Sequence, residues 1–485
     1  MFSRFRSLFF LLFVAIFFVS AASVIFYAFG YRFSYARGIF IYTGSLSLKT
    51  NIETVNVKID DTVVPNKRLG LLNNSIQITG LTPGEHFIEV SAAGYRSWTK
   101  KIVIQSGMTT EFWNILLTEE NPPLEPIAGT ENVIKVFPAP NGLFAVVKKQ
   151  SNTYTIETLD VKKKESSQVF STDQAVFLPE RRTNLEWSPE SHKIIIPLMQ
   201  GSTPAYAIVN IKTKETAYLN DMAKTSVPLS SPRWDATARD FLFYLDNGSL
   251  YRIDTEATDA EPVLIKRGIA AYEISGSLIY YLSSENGVVY QIPGNSSQAD
   301  PQQITPSPAE IDMKNTYSLI AYDEDRLAIL EESSGTLTIF NREATADPLK
   351  KIQSGVVNIQ YSDDGKKLLY STNTEIFVYF NQDWNAQPMR SLDTIIQVAR
   401  FSTPIKNTEW AEDYEHVIFS QNETVKVAEL DNRDRRNIFD LISLPSSPAQ
   451  LLSRFGDNKI FLILSDSTGG MKSLIFPKST GFLGF

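Results

Sequence analysis

Trp187-Ser188-Pro189-Glu190-Ser191-His192-Lys193-Ile194 and Tyr361-Ser362-Asp363-Asp364-Gly365-Lys366-Lys367-Leu368 are two copies of one pattern. A large residue closes a short apolar strand, a polar turn follows, and a second apolar strand begins. Phe137-Pro138-Ala139-Pro140-Asn141-Gly142-Leu143-Phe144 is a third copy. Aligned on the large residue, the copies fall at Phe137, Trp187, Trp234, Ile274, Tyr322, Tyr361, Trp410 and Phe455, at intervals of 50, 47, 40, 48, 39, 49 and 45 residues. That is the period of roughly 40–50 residues expected of a four-stranded propeller blade. A third strand follows at the right distance in Gly248-Ser249-Leu250-Tyr251-Arg252-Ile253, Gly287-Val288-Val289-Tyr290-Gln291 and Gly335-Thr336-Leu337-Thr338-Ile339-Phe340. No segment of helical period and useful length separates them, which argues against an α/β solenoid. Eight copies predict eight blades over residues 133–485. Seven follow instead if the last copy shares its blade with the first.

The Trp-Ser-Pro and Asp-Asp-Gly-Lys turns resemble the repeats of TolB-like and WD40-like propellers. The resemblance covers residues 133–485 and implies a ring of antiparallel sheets around a central channel.

Working outward toward the amino end, residues 119–132 open with Glu119-Glu120-Asn121-Pro122-Pro123-Leu124-Glu125-Pro126. An acidic, proline-rich run cannot continue a central strand, so it reads as a stiff linker. Residues 43–118 before it alternate with period two, as in Ser45-Leu46-Ser47-Leu48, Val55-Asn56-Val57-Lys58-Ile59 and Ser75-Ile76-Gln77-Ile78. Turn signals separate them at Asp60-Asp61 and Thr82-Pro83-Gly84-Glu85, which predicts a small all-β sandwich.

The succession Thr43-Gly44-Ser45-Leu46, Val57-Lys58-Ile59-Asp60, Leu81-Thr82-Pro83-Gly84-Glu85-His86-Phe87-Ile88-Glu89-Val90 and Gly94-Tyr95-Arg96-Ser97-Trp98, ending at the strand 101–104, resembles the bacterial PEGA domain. The chain departs from that family at Asn51-Ile52-Glu53-Thr54, where a Pro-x-Gly-Ala-like turn is usual. The resemblance implies an extracytoplasmic module for adhesion or protein contact and places the carboxyl-terminal domains outside the cell membrane.

Residues 7–29 carry no charge and are dominated by Phe, Leu, Val, Ala and Ile. At ~1.5 Å per residue they make a helix of roughly 34 Å, enough to cross ~30 Å of hydrocarbon. The expectation is a transmembrane anchor over residues 1–30 and a juxtamembrane linker over 31–42, with Tyr27, Tyr31 and Tyr35 suited to the interfacial aromatic belt. Val19-Ser20-Ala21 before Ala22 offers the rival reading of a cleaved signal peptide. Arg4 and Arg6 on one flank are nearly balanced by Arg32 and Arg37 on the other, so charge alone leaves the orientation open.

Composition narrows the function. A net charge of −8 argues against a nucleic-acid partner. The absence of cysteine excludes disulfides, thiolate metal sites and cysteine nucleophiles. His86, His192 and His416 lie far apart in the chain and show no ligand spacing, so neither a metal nor a cofactor is expected. No Gly-x-Ser-x-Gly elbow, phosphate loop or His-Glu-x-x-His stretch is present.

The residues just before the large positions are Val136, Glu186, Arg233, Glu273, Ala321, Gln360, Glu409 and Arg454. Charged side chains on inner propeller strands would be costly unpaired, so Glu186, Arg233, Glu273, Gln360, Glu409 and Arg454 are expected to form a polar ring of inter-blade contacts near the channel. The sum is a non-catalytic envelope binding or scaffolding protein whose partner is a protein or a cell-wall polysaccharide. The alternative is a glycoside hydrolase or lyase that uses Glu186, Glu273 or Glu409 at the channel mouth.

Overall fold

Phe2–Ala28 form a single helix in this computed structural model, which describes residues 2–34, 38–65, 68–69, 75–178, 185–296, 299–454, 458–464 and 470–476. Its Phe9–Ala28 portion is long and apolar enough to cross a membrane, and none of it is buried against the rest of the protein. Gly30, with φ of +88°, ends it: the Gly30 amide donates to the Tyr27 carbonyl at 3.1 Å, as a left-handed cap requires. The stretch expected to be a juxtamembrane linker contains two paired strands. Tyr31–Ser34 pairs antiparallel with Ile39–Tyr42.

Two four-stranded sheets follow. One orders Thr109–Ile115, Gly44–Thr50, Ser75–Leu81 and Arg68–Leu69; the other orders Thr62–Val64, Asn56–Ile59, Gly84–Ser91 and Trp98–Ile104. The period-two alternation is what allows this, because one face of each strand turns inward. Leu46, Leu48, Val57, Ile76, Ile78, Ile88, Val90, Trp98, Ile102 and Phe112 meet there as a buried core. Asp60 and Asp61 both take positive φ between Ile59 and Thr62, the backbone of a tight two-residue hairpin turn.

Eight further sheets succeed one another along the remaining described residues. Each of the seven described large positions stands at, or one residue from, the end of a first strand: Val133–Pro138, Glu186–Trp187, Ser230–Trp234, Ile269–Ser275, Tyr317–Ala321, Asn358–Tyr361 and Ile405–Trp410. The eighth first strand is Pro448–Arg454, and Phe455 lies outside the described residues. These strands surround the channel, and in the first seven sheets the later strands step outward in hairpin order. The result is an all-β chain, a sandwich and a propeller, behind one apolar helix.

The acidic, proline-rich stretch is not a free linker. Glu120 donates its amide to the Gly94 carbonyl at 3.0 Å, holding the first half against the sandwich. Leu124–Pro126 in the second half pairs with Met471–Ile475 and becomes the outermost strand of the last sheet. The last sheet therefore takes strands from both sides of the ring's start. The Phe144 and Phe461 rings meet across the join, 5.1 Å apart.

The sandwich is docked on the propeller. Lys100 is fully buried and its ammonium lies 2.6 Å from Glu429 Oε1. It also donates to the carbonyls of Asp431 at 3.1 Å and Arg435 at 2.9 Å. Glu429 Oε2 accepts from the Trp98 indole at 2.9 Å. A second contact joins the Trp113 indole to the Gln387 carbonyl at 3.1 Å, with Trp113 and Trp384 rings 5.9 Å apart.

Candidate functional site: the polar channel

On the first strands of the propeller sheets, the polar residues just before the large positions, Glu186, Arg233, Glu273, Gln360, Glu409 and Arg454, each meet a neighbouring sheet. In the second, third and fourth sheets Arg233 lies between two carboxylates. Its Nε is 2.9 Å from Glu186 Oε2 and its Nη2 is 2.9 Å from Glu273 Oε1. Burial disfavours the guanidinium, but Glu186 and Glu273 outweigh it and hold Arg233 above its ordinary value. Burial likewise pushes the Glu186 carboxyl up, with Arg233 pulling it back only in part. Glu186 does a second job, accepting from the Trp234 amide at 3.2 Å.

Gln360 repeats that second job with a neutral side chain. Its Oε1 accepts from the Trp410 amide at 3.2 Å, and its carbonyl accepts from the Trp410 indole at 3.1 Å. The Trp234 indole reaches the Glu186 carbonyl at 3.3 Å and the Trp187 indole reaches the Phe137 carbonyl at 3.2 Å. A tryptophan at the large position therefore clamps the preceding sheet by its N–H while its ring fills the space between sheets.

Glu409 and Arg454 do not repeat the arginine–carboxylate arrangement. Their ion pair is absent among the described residues; Arg454 donates to the Gly142 carbonyl at 3.2 Å and lies 4.9 Å over the Phe144 ring. Glu409 has Gln360 beside it, and burial pushes its carboxyl up to about 7 against that hydrogen bond. The structure thus brings Glu186, Arg233 and Glu273 together, sets Gln360 beside Glu409, and turns Arg454 toward the first sheet.

Glu409 lines a cavity of about 670 Å³ bounded by the first strands of the first, sixth, seventh and eighth sheets. Lys135, Phe137, Asn358, Lys406 and Asn407 share its wall. Burial lowers the Lys135 ammonium from its ordinary value. Glu409 is the one carboxylate among the lining residues. A larger groove of about 810 Å³ lies against the fifth sheet, lined by Glu310, Asp312, Glu331 and Lys351. Its Glu331 is already engaged by Asn315 and Ser334.

Several polar groups were not singled out by the sequence. Gln450 bridges the ring's join, accepting from the Val136 amide and donating to the Val136 carbonyl, each at 2.9 Å. Lys193 reaches Asp240 in the next sheet at 2.9 Å, and Lys367 likewise reaches Glu415 and the Tyr414 carbonyl. The sequence carries a mark of both: each lysine stands five residues after the serine, Ser188 or Ser362, whose hydroxyl accepts from the lysine amide at 3.0 Å. The three histidines each sit beside an aspartate: His86 on Asp60 at 2.6 Å, His192 on Asp240 at 2.7 Å and His416 on Asp413 at 2.6 Å. No cluster of three metal-ligating side chains occurs among the described residues.

No protein-family model matches the chain, and no curated protein matches it. Among solved structures it is similar to the Dos1 propeller, with TM-score 0.48 and 12% identity over 72% of this chain and 95% of that one. It is also similar to Saccharomyces cerevisiae Sqt1, with TM-score 0.43 and 12% identity over 72% and 96%. The β-propeller domain of Myceliophteria thermophila Cps50 (Swd1) gives TM-score 0.42 and 11% identity over 72% and 99%. The propeller assignment rests on the chain's own sheet order and ring contacts.

Proposed function

We propose that this chain is a membrane-anchored, non-catalytic binding or scaffolding protein of the cell envelope, in which an eight-bladed propeller on a PEGA-like sandwich presents its channel mouth to a protein partner outside the membrane. The observation that carries the non-catalytic part is the pairing of Glu186 and Glu273 on one guanidinium. A glycosidic mechanism needs two carboxylates free to act on a sugar from opposite sides. Here both are held by Arg233, and the open cavity contributes Glu409 alone. The cavity supports the binding part: amides and lysines stand around an apolar floor that includes Phe137 and Leu451, the mixture a polypeptide segment requires. The helix Phe9–Ala28 supports anchoring, and the PEGA resemblance supports the outward side.

The absence of cysteine makes a site-directed test clean. Lys406→Cys on the exposed edge of the cavity, carrying a photo-crosslinker, should capture a specific envelope protein in cells. The same probe at Val263, on an outer strand, should not. Capture that survives Glu409→Arg, or turnover of a cell-wall glycan by the purified protein, would overturn the reading.

A further inference from the structure

The hairpin behind the helix has one aromatic face. In its register Tyr31 stands opposite Tyr42 and Phe33 opposite Phe40, so all four rings project to the same side. Tyr31 and Tyr42 stack at 5.0 Å between centroids, and Phe33 meets Phe40 edge-on at 5.3 Å. Phe26, in the last turn of the helix, packs against this ladder, 5.4 Å from Tyr31 and 6.0 Å from Phe40. The hairpin therefore lies back along the helix end instead of standing away from it. Phe33, Ile39, Phe40 and Tyr42 nonetheless remain between 42% and 57% exposed.

Position along the helix says what covers them. Phe9–Ala28 is 20 residues, about the ~30 Å of a hydrocarbon core. Phe26 then lies just inside its outer boundary, and Phe40, touching Phe26, lies at the same depth. Arg32 suits that boundary: its guanidinium lies 3.6 Å over the Tyr27 ring and donates to the carbonyls of Tyr27 at 2.8 Å and Tyr31 at 3.0 Å. A cation that covers helix-end carbonyls while its stem follows an aromatic ring belongs at a headgroup level.

The hairpin is also fixed to the sandwich. Thr43 donates to the Gly30 carbonyl through its amide at 3.1 Å and its hydroxyl at 2.6 Å, and its own carbonyl accepts from the Gly107 amide at 3.0 Å. Tyr42 lies so close over Gly107 that a Cβ there would stand 2.4 Å from the ring. Met108, the next residue, is another exposed apolar side chain.

We propose that the paired strands Tyr31–Ser34 and Ile39–Tyr42 are a second membrane contact, their aromatic face inserted into the lipid interface beside the helix. This rests on the helix spanning a bilayer. The helix then sets the depth, and the hairpin sets how the head is tilted and turned above the surface.

The cysteine-free full chain allows the depth to be read directly in phospholipid vesicles. Nitroxides are placed by Phe40→Cys on the hairpin, Phe17→Cys within the helix and Val263→Cys on the propeller. Relaxation enhancement by oxygen, which concentrates in lipid, is compared with that by a water-soluble nickel chelate. The expected result is an oxygen-dominated ratio at 17 and 40 and a chelate-dominated one at 263. A chelate-dominated ratio at 40 with oxygen dominance at 17 overturns the hairpin contact and leaves the anchor intact. Chelate dominance at 17 overturns the anchor and the hairpin contact with it. Dipolar broadening at 40 with neither reagent gaining access assigns the face to a second copy of this chain and also overturns the proposal. Ile39→Cys, on the other face, leaves the ladder intact and should give a lower oxygen-to-chelate ratio than position 40; a higher one would overturn the aromatic face as the inserted one.

Discussion

Replacing Lys100 by Met should separate the sandwich from the propeller. The Lys100 ammonium has three donors and spends them on Glu429 at 2.6 Å and on the carbonyls of Asp431 and Arg435 at 3.1 and 2.9 Å. Both charged side chains are almost wholly removed from solvent, 0% and 6% exposed. Methionine keeps the apolar stem and its packing but leaves a buried carboxylate without its cation. Glu429 retains neutral donors from Trp98 and from the Asn437 amide at 2.7 Å and side chain at 2.9 Å, which soften the loss without neutralising the charge. Removing one partner of a buried pair costs about 3–5 kcal/mol. Urea denaturation of the segment from residue 38 onward, followed by tryptophan fluorescence, reads it: Trp98 and Trp113 both stand at the interface. The parent should unfold the sandwich and the adjoining sheets together, whereas Lys100→Met should give a separate, earlier transition for the sandwich. Lys100→Met combined with Glu429→Gln removes both charges and should lose less than Lys100→Met alone. A single transition shifted by less than about 1 kcal/mol in Lys100→Met would refute the claim that this pair couples the two units.

Arg233→Met leaves Glu186 and Glu273 facing one another and should cost about 3–5 kcal/mol near pH 8; the loss should shrink on acidification as the Glu186 carboxyl, already pushed up by burial, takes up a proton, and parallel melting curves at pH 5 and 8 would count against it. Glu409 has a folded value of about 7, raised above its ordinary 4.5, so the folded state binds the extra proton and stability falls as pH rises through that window, then levels off. The full window corresponds to about 3 kcal/mol, and contact with channel water trims it to about 1–2; Glu409→Gln should flatten the pH–stability curve by that amount, and an unchanged slope would refute the assignment. Gly365→Ala forces a side chain at φ +66° to within 2.3 Å of Tyr322 Cε1, which should cost about 2–3 kcal/mol in thermal melts. Gly276→Ala, at φ +58° with open space around it, isolates the backbone contribution at about 1 kcal/mol; equal losses at both positions would exclude the contact with Tyr322.

How far the sequence carried depended on range. The repeat was legible because each sheet is made from consecutive residues, so its strands and turns leave a local, periodic mark. Asp60-Asp61 was legible as a turn for the same reason. The outer strand Leu124–Pro126 was not: three residues of Leu-Glu-Pro carry no alternation, and their partner Met471–Ile475 lies near the other end of the chain. Within the channel, the polar character of Glu186, Arg233 and Glu273 could be read from their place before the large residue, and their alternating signs implied contact. The same rule fails for Arg454, which meets the Gly142 carbonyl and the Phe144 ring of the first sheet instead of Glu409. There Gln450, unremarkable in sequence, bridges to Val136. Lys100 gave no signal as a partner of Glu429, since a strand lysine ordinarily faces water and nothing local marks a docking face.

The stretch of acidic residues and prolines reads in sequence as a stiff linker, and the contacts lead elsewhere. From Gly30 the path runs through Thr43 and Gly107 into the sandwich, from Trp98 and Lys100 to Glu429, and from Trp113 to Gln387. Every step is a short hydrogen bond or a buried ion pair, and no step relies on an unpaired length of chain. Burying a charged pair at such a junction gains little over apolar packing, but it penalises every misaligned docking in which either charge is left alone. A hinge needs no such specification. The Lys100–Glu429 pair therefore makes sense as a device that fixes one orientation of propeller to sandwich, and the Thr43 bonds extend that orientation to the helix end. With the helix in a bilayer, the channel axis then takes a set direction relative to the surface, so a partner would meet the propeller from one side rather than find a head free to turn.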